Sequence, residues 1–576
     1  MPYGYRAPTH HMRFVMERVL HAPQSWRACP GLSELDIHTA EAVLDEAAHF
    51  ASGVLLPLNA RGDQQGCVLS ADGQVRTPEG FAQAYRAYVD GGWAALPCSA
   101  DWEGQGLPLL LDAAVREMLN ACNHGWTMYP DLLHGAYETL KAHGSPALQQ
   151  RYLADIATGR TLAAMALTEP QAGSDLGALR TQAQPQSDGS WRVTGSKVFI
   201  SGGEHDLTDN IVHLVLARAP DAPPGTRGIS LFLVPKRLPD GARNRMSCVG
   251  IEHKMGIHGS ATCSMQYDGA TAWMVGEPHR GLAAIFLMMN SARLHVGLQG
   301  LGHLEMATQN SLRQAQDRVQ GGVPIAQHPA MRHTLLRLQA STEALRCLAY
   351  RAALALDEAA HHEHPEQRAR QSAIAALLTP IVKAFGTQQG FEGAHRALQV
   401  FGGYGYVRET GVEQTLRDAR IAMIYEGTNE IQAIDLVQRK LLGDEGRALQ
   451  ILLAEFEAEA QAAHGAGVPD LAAALRKQIE HAQEGLRSLQ VAARAGREAV
   501  LALCDDALAA YAHLCQAWAW TASARACTQL LAQAPEDTQA RARLERMRYG
   551  VQWLLPQAQV HWQALRAAPS LPLEVG

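Results

Sequence analysis

The spacing of apolar residues changes twice along this chain, and no other feature limits its architecture as much. Between residues 160 and 275 the apolar runs are short, alternating and rich in β-formers. Trp191-Arg192-Val193-Thr194-Gly195-Ser196-Lys197-Val198-Phe199-Ile200-Ser201 is one; residues 211–217 and 228–234 are others, each bounded by Gly, Pro or Asp. No helix-length segment interrupts them, so the block predicts a β-domain. On both sides the apolar period is helical. Met12, Phe14, Val15, Val19 and Leu20, then residues 40–56, mark a helical N-terminal part, with turn-rich stretches at 59–80 and 98–106. Residues 281–319, 331–358 and 372–390 each carry an apolar stripe, and a shorter piece precedes Gly402. Beyond the Gly443-Asp444-Glu445-Gly446 break, a further helical block runs over 449–567. No internal repeat at a fixed period is visible.

At 576 residues the chain is too long for one hydrophobic core, so several domains are expected. Its 47% hydrophobic and 19% charged residues are those of an ordinary globular protein. A formal net charge of −7 gives no electrostatic reason to expect nucleic acid or an anionic membrane as partner. The ten cysteines are scattered without a CxxC pair, which argues against a zinc site or disulfide framework and for a reducing cytoplasm. Met1-Pro2-Tyr3-Gly4-Tyr5-Arg6 lacks a signal-peptide profile, and no run of about 18 uncharged apolar residues predicts a membrane span. His10-His11 and His361-His362-Glu363-His364 look like metal ligands. The second cluster lies in a polar, Pro-containing linker, where a solvated loop is the better reading, and no metal site is expected.

Four segments carry chemistry. Ala422-Met423-Ile424-Tyr425-Glu426-Gly427-Thr428-Asn429-Glu430-Ile431-Gln432 places one carboxylate, Glu426, on a Gly-terminated corner between apolar stretches. Glu426 reads either as a desolvated general base or as an ordinary surface glutamate. Glu430, leading into the next helix, is the nearest competing carboxylate. Thr168-Glu169-Pro170-Gln171-Ala172-Gly173-Ser174-Asp175 follows the apolar run 162–167, so it is a loop leaving a strand. Gly173 and Ser174 there either offer N–H and hydroxyl groups to an anion or make a plain turn. Phe199 either stacks on a planar cofactor, with the Ser201 hydroxyl on a ring nitrogen, or faces a core. Gln399-Val400-Phe401-Gly402-Gly403-Tyr404-Gly405-Tyr406 has too few fixed positions for a dinucleotide fingerprint and no βαβ context, so a Rossmann reading is rejected. Its Gly402-Gly403 pair still lets backbone approach a phosphate.

In their order along the chain and at their spacing, the 168–175, 399–406 and 422–432 segments together resemble the acyl-CoA dehydrogenase family over roughly residues 40–440. The resemblance implies an α+β multidomain fold. Its parts are an N-terminal extension (1–35), an N-terminal helical domain (36–160), a middle β-barrel-like domain (161–280), a helical flavin and catalytic domain built as a four-helix bundle (281–443) and an extra helical C-terminal domain (444–576). It implies FAD, with Leu167, Thr168, Gly173 and Ser174 lining the isoalloxazine ring and reaching the pyrophosphate. Phe199 and Ser201 take the places of a Trp and a Thr common in the family. Arg318, Gln399, Gly402 and Gly403 would hold the pyrophosphate and adenine across a subunit boundary, which implies a homodimer. Gly321 stands where the family often has Phe. By residue match, Glu426 abstracts the α-proton of an acyl-CoA thioester and a hydride passes to flavin N5, giving a trans-2-enoyl-CoA. Tyr425, Gly427, Ser174 and Arg293 would contact the substrate, and Thr428 the flavin. Arg293 reads equally as half of an ion pair. An electron-transfer flavoprotein is the implied acceptor and fatty acid β-oxidation the implied setting.

The extension and the segments Tyr5-Arg6-Ala7-Pro8 and Met12-Arg13-Phe14 resemble a branch that includes dehydrogenases of 3-(methylthio)propionyl-CoA and of straight-chain acyl-CoAs. Those substrates differ by little more than a methylene, about 1–3 kcal/mol of discrimination, and sequence does not separate them. An acyl-CoA oxidase using O₂ is one alternative. A DNA-binding flavoprotein of the same superfamily is another, but it wants a basic extension, and residues 444–576 hold 12 Lys+Arg against 15 Asp+Glu. Trp518 and Trp520 read as core or docking residues, and Arg541, Arg543, Arg546 and Arg548 as a solvated helix face.

Overall fold

Seven strands form a single sheet in the middle of the chain: β1 (Leu162–Ala166), β2 (Gln182–Pro185), β3 (Trp191–Ser201), β4 (Ile211–Arg218), β5 (Ile229–Pro235), β6 (Met246–Ile251) and β7 (Thr262–Val275). The sheet closes on itself. β4 pairs antiparallel with β5 and meets β2 at Gln182↔Arg218, while β2–β3, β3–β7 and β7–β5 complete the ring. β1 adds parallel to β4, and β6 adds antiparallel to β7. β4 and β5 are buried on both faces, so they are continuous apolar runs, whereas β3 alternates because one of its faces is open.

The computed structural model describes residues 4–567 and groups them into two compact units. The first holds Phe50–Pro108 and Cys122–Ala292, that is, the sheet and its neighbouring helices. The turn-rich stretch expected at 59–80 is partly helical there: helix Leu56–Gln65 runs through it, followed by a hairpin of Val68–Leu69 with Val75–Arg76. Gly62 is compatible with that helix because it makes room: a Cβ there would lie 2.7 Å from the Phe81 ring.

The second unit comprises the described parts of Met1–His49, Leu109–Ala121 and Arg293–Gly576. Its helices are drawn from α1 (Leu109–Thr127), α2 (Gly281–Asp317), α3 (Pro329–His361), α4 (Pro365–Phe401), α5 (Asn429–Ile434), α6 (Arg447–Gly465), α7 (Pro469–Ala495), α8 (Cys504–Gln533) and α9 (Thr538–Tyr549). The expected helix end at Gly390 is not there. α4 continues for 37 residues through Pro380, Gly386, Gly390 and Gly393. These glycines mark close helix packing rather than a stop: a Cβ on Gly390 would sit 2.5 Å from the Gly300 carbonyl oxygen of α2, and one on Gly300 would sit 2.3 Å from the Gly386 oxygen. Gly390→Ala should therefore lower stability by about 1–3 kcal/mol through overpacking, read as a lower urea midpoint at unchanged slope.

A buried polar network ties the N-terminal segment to the helices. Arg346 of α3 donates to Glu117 of α1 (3.0 Å), to Glu305 of α2 (2.6 Å) and to the ring of His11 (2.6 Å). Burial and the flanking cations push the His11 pKa well below its usual value, so its ring is neutral and accepts. The extension docks on α3 through the Trp520 indole N–H, which donates to the Ala340 carbonyl (2.9 Å); within the extension, Trp518 stacks on Phe456. The arginine cluster departs from a simple solvated face. Arg543 and Arg546, three residues apart and so on one side of α9, both reach the buried Glu343 of α3, at 3.6 and 2.6 Å. All ten cysteines are free thiols, and among the described residues no group of three or more His, Cys, Asp or Glu is placed to hold a metal. Among those residues, one helix, Gly281–Asp317, is long and apolar enough to cross a membrane by composition, and it is mostly buried within the protein.

Candidate active site

Glu426 occupies an unusual backbone position. Its φ is +56° and that of Gly427 is +83°, so two successive left-handed residues turn the chain into α5. A glutamate pays roughly 1–2 kcal/mol for that conformation, which persists only where the surroundings impose it. They do so here through α4 and α5. Lys383 of α4 donates its ammonium to the Gly427 carbonyl at 2.7 Å and to the Asn429 side-chain oxygen at 3.0 Å. Asn429 donates back to the Ala384 carbonyl at 3.1 Å, and the Gln432 amide donates to the Glu426 carbonyl at 3.1 Å. Thr428 caps α5 by accepting from the Ile431 N–H.

The electrostatics separate the two carboxylates. Glu426 is half-buried, with the Arg293 and Lys383 cations in its field. Glu430 is exposed, and the Thr428 hydroxyl and a backbone N–H hold its pKa below the usual range, so it is a solvated carboxylate, ionised at neutral pH. Arg293 is paired in the buried site: it donates to Asp435 at 3.2 Å, and Asp435 also accepts from Arg439. The Tyr425 hydroxyl donates to Gln299. Lys383 is fully buried; desolvation brings its pKa down to about 7 against the opposing pull of Glu426.

The other candidate segment lies in the first unit. The pairing of β3 with β7 skips between Lys197 and Ile200, and Phe199 inside that bulge has φ +60° and a side chain 62% exposed. Strain at an exposed aromatic is a signature of a site rather than of a core. The loop after β1 is fixed to β3 from below: Val198 N–H donates to the Thr168 carbonyl (2.9 Å), and buried Lys197 donates to the Leu167 carbonyl (2.9 Å) and to Glu169 (2.8 Å). Glu169 also accepts from the Thr181 N–H and hydroxyl and the Arg180 N–H. Burial alone would raise the Glu169 pKa; Lys197 and these donors overcome that and hold it at about 2. Leu167 and Thr168 are thus braced against β3, the strand that carries Phe199 and Ser201; further along the same loop Gly173 and Ser174 are exposed, with open space where a Gly173 Cβ would be.

In the second unit, Arg318 opens a hairpin whose turn is Gly321-Gly322, both left-handed at φ +62° and +80°. Both turn positions suit glycine, since a bulky side chain is disfavoured at that φ. Ala315, Ile325, Leu335 and Val400 form one small core, so the ends of α2 and α4 that carry Arg318 and Gln399 converge. Gln399, Gly402 and Gly403 are exposed there, beside Tyr404 and Tyr406 at 61% and 86% exposure.

Comparison with known proteins assigns these segments. Family models describing the acyl-CoA dehydrogenase N-terminal, middle and C-terminal domains match residues 38–160, 164–270 and 279–442, and an acetyl-CoA dehydrogenase C-terminal-like model matches 452–575. The 3-methylmercaptopropionyl-CoA dehydrogenase of Ruegeria pomeroyi is 45% identical over 457 residues, 77% of each chain. The chain belongs to the acyl-CoA dehydrogenase family. This acyl-CoA dehydrogenase is also 33% identical to the broad-specificity linear acyl-CoA dehydrogenase of Mycobacterium tuberculosis, over 79% of this chain and 81% of that one. Its fold is shared with a Bacillus anthracis acyl-CoA dehydrogenase solved with FAD (TM-score 0.75, 22% identity, 94% of this chain and 90% of that one). In the acyl-CoA dehydrogenase, reading by sequence had overlooked Lys197, Glu169, Lys383, Asn429 and Gln432. One signal was available: a lone Lys383 between Ile381-Val382 and Ala384-Phe385 is a cation on an apolar helix face, and such a residue needs a partner.

Proposed function

We propose that the chain catalyses FAD-dependent α,β-dehydrogenation of an acyl-CoA thioester to a trans-2-enoyl-CoA, with Glu426 as the base. The observation that carries this is the Glu426-Gly427 corner: a half-buried carboxylate on a strained turn, fixed at both carbonyls and set in the field of two cations. A thioester α-hydrogen is a weak acid, so its removal needs a base held in place and donors aimed at the developing enolate. Glu426 takes the proton, and its own backbone N–H is the donor assigned to the thioester oxygen. The positive fields of Arg293 and Lys383 favour the ionised carboxylate.

The residues present fit FAD. Phe199 offers an exposed ring face and Ser201 a hydroxyl, and Leu167, Thr168, Gly173 and Ser174 follow along the loop that is hydrogen-bonded to that strand. Thr428 is assigned to the flavin as well, and Arg318, Gln399, Gly402 and Gly403 to the pyrophosphate and adenine across a homodimer boundary. FAD, when bound, supplies the hydride acceptor. Tyr425, Gly427, Ser174 and Arg293 are assigned to the acyl-CoA, Arg293 acting through its pair with Asp435. An electron-transfer flavoprotein is the proposed acceptor. The names of the two relatives support a substrate among 3-(methylthio)propionyl-CoA and linear acyl-CoAs.

Anaerobic titration of the purified protein with acyl-CoAs from butyryl to palmitoyl, plus 3-(methylthio)propionyl-CoA, tests the reading. Loss of the flavin's visible absorbance with one or several of them is expected. A yellow protein that none of them bleaches would overturn it, and catalytic consumption of O₂ by the reduced form would reassign the acceptor.

A further inference from the structure

Lys383 is a buried cation in a stretch of α4, residues 372–387, whose other members are apolar or small, and burying it without function is costly. Both of its recorded hydrogen bonds go to the catalytic corner: the Gly427 carbonyl and Asn429. Neither acceptor is a carboxylate, so this is no salt bridge formed to neutralise the charge. Thr387, one turn further along α4, donates to the same Asn429 oxygen, so α4 grips the first residue of α5 while Lys383 grips the residue after the base. The charged groups facing the ammonium are Glu426 and Glu430, which attract it, and Arg293 of α2, which repels it. From the extension, Asp505 at the start of α8 faces Glu430.

We propose that Lys383 is a positioning residue for dehydrogenation: its ammonium clamps the Gly427 carbonyl and Asn429, holds Glu426 in its left-handed conformation, and supplies a positive field that keeps the Glu426 carboxylate ionised. The proposal rests on Glu426 being the base. It also accounts for the strained φ of Glu426: the corner is tied on both sides of its peptide by groups that a relaxed turn would release. Desolvation places the amine's titration at about 7, so the field is full below that pH and fades as pH rises through it, while the two N–H donors of the neutral amine can keep the geometry.

The test uses the FAD-loaded enzyme and three variants: Lys383→Met, Lys383→Gln and Asn429→Ala. In Lys383→Met the limiting rate of anaerobic flavin bleaching should fall on the order of 10²-fold, while the Kd for acyl-CoA changes less than about threefold. Removing a neighbouring positive charge raises a carboxylate pKa, so the acid limb of its pH–rate profile should move to higher pH, and an inflection near 7 present in the native enzyme should vanish. Lys383→Gln, which keeps a donor but no charge, should recover part of the rate without restoring the inflection. Asn429→Ala should lower the rate and keep the inflection, and it tests the clamp without touching the lysine. Hydrogen exchange over residues 424–434 should accelerate in Lys383→Met whatever the chemistry.

A rate and pH profile within twofold of native would overturn the proposal. So would losses in rate and Kd that scale together with lost FAD, which is the mark of a merely structural lysine. If no acyl-CoA bleaches the native enzyme, the assignment of the base falls and this role with it. Unchanged exchange at 424–434 in an enzyme that does bleach would instead remove the clamp alone.

Discussion

Glu426→Gln should abolish the half-reaction while leaving the protein folded and yellow. Glutamine matches glutamate in length, accepts the same backbone geometry and leaves the Gly427, Gln432 and Asn429 hydrogen bonds in place, since all of them are made by backbone or by other side chains. What it removes is the carboxylate proposed to take the α-proton. General-base catalysis is worth about 10²–10⁴ in rate, and the fall should lie at the upper end because Glu430 is solvated and already committed to the first turn of α5. Stopped-flow bleaching with the best substrate of the panel measures it. Thermal unfolding and flavin content should stay close to native, and the Kd for acyl-CoA should be little changed. A variant that keeps more than a tenth of the native rate would move the base elsewhere, with Glu430 first in line.

Lys197→Met should have the largest effect on stability. Lys197 and Glu169 form a pair that is 0% and 4% exposed, and the same ammonium caps the Leu167 carbonyl. Removing one member of such a pair leaves the other charge uncompensated and costs about 3–5 kcal/mol. The remaining donors from Thr181 and Arg180 soften that cost, so the lower end is expected. The loop of Thr168, Gly173 and Ser174 loses its brace at once, and FAD content should fall in parallel. The pH dependence gives a second readout. Glu169 is held at about 2 against a usual 4.5, so its contribution is full above 4.5 and is lost as pH falls toward 2. Without Lys197 the folded pKa rises and that acid-side loss shrinks. Urea unfolding between pH 7 and pH 3 distinguishes the cases, and equal slopes in the two proteins would contradict the account.

The helix and strand blocks were legible because each rests on a local period: alternation over 191–201 and helical stripes over 281–319 need nothing from the rest of the chain. The acid of the candidate site was legible for a different reason, since Glu426 is the one carboxylate at an apolar, Gly-terminated corner. What failed to show was anything made by residues far apart. Gly390 looked like a helix stop, and only the backbone of α2, some ninety positions earlier, explains its presence inside a helix. Lys197 and Glu169 are 28 residues apart, and Lys383 and Gly427 are 44 apart, so neither pair leaves a motif. Backbone strain is invisible as well: Phe and Glu are not residues that announce a left-handed φ, yet Phe199 and Glu426 both adopt one. Arg543 and Arg546 were misread for a related reason. Their spacing gives a face, but whether a face meets water or Glu343 depends on the fold.

The docking of the extension on α3 bears on how such a tail can be gained or lost over generations. A descendant cut short after residue 443 would uncover the stretch around Ala340 and leave Glu343 without either of its arginines. A single deletion would therefore yield a sticky, poorly folded protein rather than a shorter enzyme. The path back to a shorter chain runs through prior changes on α3, with polar residues replacing small apolar ones and a smaller side chain replacing Glu343. Lineages that keep the present α3 are thus bound to keep the tail, whatever it does for catalysis.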